Sequence, residues 1–121
     1  MKVTIGRDEF CCDTMEEYER YIENVFLYKD AEIWISELGT RDDFPCLGVL
    51  MNETHAVVHY FEEDKCFVTV GKTERADMIS FCNGAYDICG DQVVTRDEAK
   101  KAVLEFYRRK RLPVSVEWEE L

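Results

Sequence analysis

Residues 93–121, VVTRDEAKKAVLEFYRRKRLPVSVEWEEL, place the strongest constraint on the fold. Thr95 is a good helix N-cap, and Glu98 three residues later has the capping-box spacing that satisfies two orphan backbone donors. Asp97 and Glu98 put negative charge in the first turn, where the helix dipole favours it. Ala99, Ala102, Val103 and Phe106 fall on one apolar stripe, with Lys100, Lys101 and Glu105 facing away. Arg108, Arg109, Lys110 and Arg111 crowd the last turn, the end that favours cations, and Pro113 cannot continue the helix. Val114, Val116 and Trp118 then alternate with Ser115, Glu117 and Glu119, which predicts a half-buried closing strand. A helix that turns back into a strand needs a sheet to pack on, and Phe106 and Trp118 are the expected core anchors.

The preceding residues supply that sheet. Residues 2–5 alternate as a short edge strand before a turn at Gly6. A first amphipathic helix is predicted over 14–28, where Asp13 or Thr14 can cap and Thr14 with Glu17 repeats the capping-box spacing. Met15, Tyr18, Ile22, Val25 and Phe26 form its apolar stripe, opposite Glu16, Glu17, Glu19, Arg20 and Glu23. Residues 31–38 alternate, with Ile33 and Ile35 on one side and Glu32, Trp34 and Ser36 on the other. Residues 39–45 carry Gly39, Asp42, Asp43 and Pro45, strong turn chemistry. Residues 46–51 read as a central strand in which Gly48 permits a close approach. Further strands are predicted at 54–61 and 66–70, joined by the charged turn Glu62, Glu63, Asp64 and Lys65. Residues 78–81 and 86–89 flank Asn83-Gly84, a strong hairpin signal. Connections this short favour antiparallel neighbours. The prediction is an α+β domain spanning 1–121: a single mostly antiparallel sheet of about six strands, with two amphipathic helices packed on one face.

Charge narrows the function. The 26 acidic residues against 15 basic give a formal charge of −11, which argues against direct nucleic-acid binding and suits a basic protein partner. No stretch approaches the roughly 20 apolar residues of a membrane span, and the N-terminus has no signal-peptide apolar core, so a cytoplasmic location is expected. In that compartment the six cysteines read as free thiols. They include no C-x-x-C, and His55 and His59 lie about 13 Å apart along a strand, so no metal site and no cofactor are expected. Cys46 and Cys66 read as small core hydrophobes, whereas nothing but Arg7 would activate the Cys11-Cys12 pair. No nucleophile elbow, phosphate-binding glycine loop or dinucleotide fingerprint occurs, so no catalytic residue is assigned and an enzyme is not expected.

Surface recognition is left. Trp34 faces away from Ile33 and Ile35, beside Glu32 and Ser36, and two readings stay open for it. It either anchors a protein interface or covers a partly buried second face. Glu62, Glu63 and Asp64 are either a solvated turn or an interaction site. A pocket lined by His55, His59 and tyrosines would instead favour a small-ligand or regulatory binding module using the open sheet face. Association through a sheet edge would give a weak homodimer, and otherwise the free chain is a monomer.

Three pieces also resemble a known family. They are PCLGVLMNETHAVVHYF at 45–61, the Asn-Gly hairpin leading into VVTRDEAKKAVLEFYRRKRLP, and the terminal VSVEWEE. Their order is similar to the first immunity-protein family of bacterial polymorphic toxin systems, often encoded beside deaminase-type toxins. That family shows a double strand of small and apolar residues, then an A-x-x-A-x-x-x-F helix, a proline and a final tryptophan followed by acid. RRKRLP stands here where a glycine-containing turn is expected. The resemblance implies a non-enzymatic antidote that binds a cognate toxin domain, a deaminase or nuclease, and occludes its active site. Glu32, Trp34, Glu62, Glu63 and Asp64 are the candidate contacts, chosen by predicted exposure and charge and not by family motif.

Overall fold

The computed structural model describes residues 1–37, 44–71 and 78–121. Among these residues ten strands and two α-helices follow in the order β1 (Lys2–Ile5), β2 (Asp8–Cys11), α1 (Met15–Val25), β3 (Ala31–Ser36), β4 (Cys46–Met51), β5 (His55–Phe61), β6 (Cys66–Thr69), β7 (Met78–Phe81), β8 (Tyr86–Cys89), β9 (Val94–Thr95), α2 (Arg96–Arg109) and β10 (Trp118–Glu120), with a 3-10 turn at Gly90–Gln92. Eight strands form one antiparallel sheet in the order β10-β6-β5-β4-β3-β1-β2, with β9 also paired to β5. The class is α+β, as the sequence predicts. The count of about six strands in a single sheet is corrected to eight, with β7 and β8 forming a second sheet of two. Three features account for the difference. Strand β2 is exposed at every position and pairs with β1 through its backbone, so no burial pattern announces it. Strand β9 is only two residues long. The β7–β8 hairpin packs on the large sheet instead of extending it. The turn expected at 39–45 lies outside the described residues as far as 43.

Both helices cover one face. Tyr18, Ile22, Val25 and Phe26 from α1 and its C-cap meet Ala99, Val103 and Phe106 from α2 over Ile33, Ile35, Leu47, Val49, Met51, Val58 and Tyr60. Each valine, leucine, isoleucine, phenylalanine or methionine side chain removed from water there contributes about 1.5–3 kcal/mol. Tyr18 ties the helices directly, its hydroxyl donating to the Val103 carbonyl at 2.6 Å. Half of each expected capping box forms: Thr14 Oγ1 accepts from the Glu17 N–H, and Thr95 Oγ1 from the Glu98 N–H, while the Glu98 carboxylate instead accepts the Thr95 hydroxyl at 3.1 Å. Helix α1 ends earlier than expected, with Phe26 as its C-cap and Leu27 and Tyr28 exposed. Arg96 secures that end, its guanidinium donating to the carbonyls of Phe26, Tyr28 and Lys29 and, at 2.7 Å, to Asn52 in the β4–β5 turn.

The closing strand is shorter than its alternation suggests. The Glu105 carboxylate accepts the Val114 and Ser115 N–H groups, bending the chain away from β6, and Val114 is exposed. Pairing with β6 begins when the Val70 N–H donates to the Glu117 carbonyl, and Trp118 then sits opposite Thr69. Phe106 is fully buried. Trp118 packs against the same core half-buried, its Nε1–H donating to the Pro113 carbonyl at 2.6 Å.

Candidate functional site

The sheet face opposite the helices divides in two. Over one part the hairpin closes a second small core, with Phe81, Ile79 and Ile88 against Leu50, Val57 and Val68. Its placement is held from two sides. Asn52 Nδ2 donates to the Ser80 carbonyl at 3.1 Å. On the other side the Thr69 hydroxyl donates to the Gln92 carbonyl at 2.8 Å while accepting the Val58 N–H. The Asn83-Gly84 signal does mark this hairpin, although Phe81 pairs with Tyr86 across a four-residue turn. Cys82, Asn83 and Gly84 all take positive φ there.

Beyond the hairpin the face opens, and Trp34 stands at the opening. Strand β3 places it opposite Gly48, and Gly48 lies opposite His59 on β5. A Cβ at position 48 would lie 2.9 Å from Trp34 Cζ3, so the glycine supplies the room in which the indole lies against the sheet. The close approach expected at Gly48 is therefore that of a side chain. The Phe61 ring is 5.7 Å from the indole and 5.9 Å from the His59 ring, which makes a short aromatic row. Trp34 is 42% exposed, so it both covers the half-buried second face and presents a free surface.

Glu32 is fixed beside it. Trp34 Nε1–H donates to Glu32 Oε1 at 3.1 Å. From the hairpin, the Tyr86 hydroxyl lies 3.2 Å from each Glu32 oxygen. The negative charge of Glu32 in turn holds the Tyr86 phenol above its ordinary pKa. Burial, then Glu32 and Asp30, push the Cys82 thiol up as well. Glu32 makes no ion pair among the described residues. Trp34, Leu50, His59, Phe61, Tyr86 and Ile88 line a cleft of about 290 Å³ with Glu32 at its rim. A more open hollow of about 450 Å³ on the other side of the Glu32–Trp34 pair includes Asp30, Cys82 and Asn83. Among the described residues neither lining contains a lysine or an arginine. Burial lowers the His59 pKa, favouring the neutral imidazole.

The other predicted contacts lie apart from this cleft. Glu62, Glu63 and Asp64 form the β5–β6 turn just past Phe61. Glu62 is drawn back toward the helix side, where the Tyr60 hydroxyl donates to it at 3.3 Å. Burial and this carboxylate raise the Tyr60 phenol to about 12. Glu62 and Glu63 line a shallow hollow with Phe44, Pro45 and Tyr60, while Asp64 is exposed at the turn. The sequence reading thus brings together Glu32 and Trp34 but misses Tyr86 and Phe61, which complete the site. The alternation of Ile79 and Phe81 against Tyr86 and Ile88 carries a signal for them, since the apolar side of a hairpin must cover something. His55 is not among the lining residues; its ring nitrogen lies 2.7 Å from the Thr54 hydroxyl.

The remaining chemistry is sparse. None of the six cysteines forms a disulfide, and burial raises the thiol of Cys12 next to exposed Cys11. Among the described residues no group of three or more His, Cys, Asp or Glu is placed to hold a metal ion. Among them also no helix is long and apolar enough to cross a membrane. Fold and site define an α+β domain with one sheet face only partly covered, aromatic and acidic where it is open. No protein-family model matches the chain, and no curated protein matches it.

Proposed function

We propose that the chain is a non-enzymatic immunity protein that binds a cognate toxin domain in the cytoplasm and covers its active site. The observation that carries this reading is the partly exposed Trp34, set against Gly48 and hydrogen-bonded to a Glu32 that has no cationic partner among the described residues. An indole held rigid beside acid is the kind of anchor that dominates protein interfaces. The formal charge of −11 supports a basic partner, since it steers and orients such a protein as it approaches. An enzyme that acts on nucleic acid, a deaminase or a nuclease, presents the basic groove such a surface would fill. The ordered resemblance of residues 45–61, α2 and the terminal tryptophan to the immunity family points the same way.

Calorimetry with the toxin domain encoded immediately upstream tests the proposal. It predicts tight 1:1 binding that weakens steeply with added salt, together with loss of toxin activity in the complex. An absence of binding overturns it. A second reading has one observation in its favour, the cleft with its apolar lining and convergent Glu32, His59 and Tyr86. On that reading the open face of the sheet holds a small ligand and the domain acts as a regulatory binding module. Thermal stabilisation of the isolated protein by a metabolite panel, lost on Trp34→Ala, would support it.

A further inference from the structure

We propose that the Trp34 cleft is a receptor for a single arginine side chain, donated by the protein partner that the immunity reading calls for. The assignment rests on that reading and adds the chemical group the site accepts. Three properties of the site select a guanidinium. The first is acceptor capacity. An ionised carboxylate has about four lone-pair positions. Glu32 receives two neutral donors, the Trp34 indole and the Tyr86 hydroxyl, and no cation among the described residues. Those two donors also stop the carboxylate from rotating, so it meets an incoming fork in a fixed orientation.

The second property is the aromatic wall. Trp34 and Phe61 stand side by side, and the ring of Tyr86 borders the same cleft. Aromatic faces attract cations, most strongly at tryptophan, and a flat guanidinium stacks on them while donating two parallel hydrogen bonds to a carboxylate. An ammonium is a compact, strongly hydrated charge and gains less from a stacking wall. The third property is size. At about 290 Å³ the cleft lies at or just below the lower bound of small-molecule sites, which suits one long side chain better than a cofactor-sized metabolite. Asp30, in the adjoining hollow with Glu32, adds to the negative field at the mouth.

The probe is N-acetyl-arginine methylamide, titrated into the full chain while the two tryptophan indole N–H signals are followed by NMR. Trp118, tied to the Pro113 carbonyl, serves as the internal control for an intact fold. A saturable shift at Trp34 with Trp118 unmoved is expected, weakened at least tenfold in Glu32→Gln and several-fold in Tyr86→Phe. The citrulline analogue, equal in shape but uncharged, should leave Trp34 unmoved, and the lysine analogue should bind several-fold more weakly. Equal binding of citrulline or lysine, or an unchanged affinity in Glu32→Gln, overturns the assignment, as does a Trp34 signal that never moves. A toxin domain that binds wild type and Glu32→Gln alike overturns the arginine receptor and leaves the immunity reading standing. Arginine binding without any toxin binding supports the receptor and overturns that reading instead.

Discussion

The two faces of the sheet are finished differently. On the helix side, Ile33, Ile35, Leu47, Met51, Val58 and Tyr60 are closed over by two helices and almost wholly buried. On the other side, Leu50, Val57 and Val68 are buried by one hairpin, and the row continues into the exposed Trp34. The helix face is complete without a partner. The outer face stops short, and at the point where it stops stand an indole, a fixed carboxylate and an empty volume. Under the proposed function, stability and recognition fall on opposite sides of the same strands, with alternate residues of β3 facing each.

Substitutions can break that division. The largest expected effect is on the helix face: Phe106→Ala empties a fully buried position and should cost about 3–5 kcal/mol in denaturant unfolding. Arg96→Ala is next. It strips the donor from carbonyls at the end of α1 and in the β4–β5 turn, and a loss of about 1–3 kcal/mol is expected from the same measurement. Trp34→Ala, on the outer face, should cost under about 1.5 kcal/mol, because the side chain starts partly exposed, yet abolish partner binding. A large loss of stability there with binding intact would erase the contrast between the faces.

Gly48→Ala sharpens the comparison further. Its Cβ meets the far edge of the Trp34 ring, which can lift into solvent, so stability should fall by about 1 kcal/mol or less. Indole fluorescence should nonetheless report a more solvated Trp34. His59 gives the smallest effect. Burial lowers its pKa in the fold, so below about pH 6.5 the unfolded chain takes up the proton more readily. Stability contributed by neutral His59 is therefore present above that pH and is lost as pH falls through the unfolded value. His59→Asn should lose less stability than wild type on acidification, and an identical pH profile would count against the buried, neutral imidazole.

The helix face could be anticipated because periodicity reports burial directly. The stripes Tyr18-Ile22-Val25 and Ala99-Ala102-Val103-Phe106, begun by the N-caps Thr14 and Thr95, are buried as the spacing predicts. The alternation of Ile33 and Ile35 against Trp34 also sets the correct sides of β3. Failures occur where a distant side chain decides a local conformation. Residues 114–117 alternate like a strand, but Glu105 on α2 captures two of their N–H groups and bends them. Tyr86 joins Glu32 only because the hairpin folds back over the sheet, a docking that neither strand pattern encodes alone.

The central claim is that the outer face recognises the partner while the helix face only supports it. Side-chain NMR of the chain bound to its cognate toxin domain tests this most directly. Signals from the Trp34 indole, the Phe61 and Tyr86 rings and the Ile88 methyls should move on binding, while Ile22, Ile33 and Val103 stay within their free-state positions. Shifts concentrated on α1 and α2, with the Trp34 indole unmoved, would contradict the account.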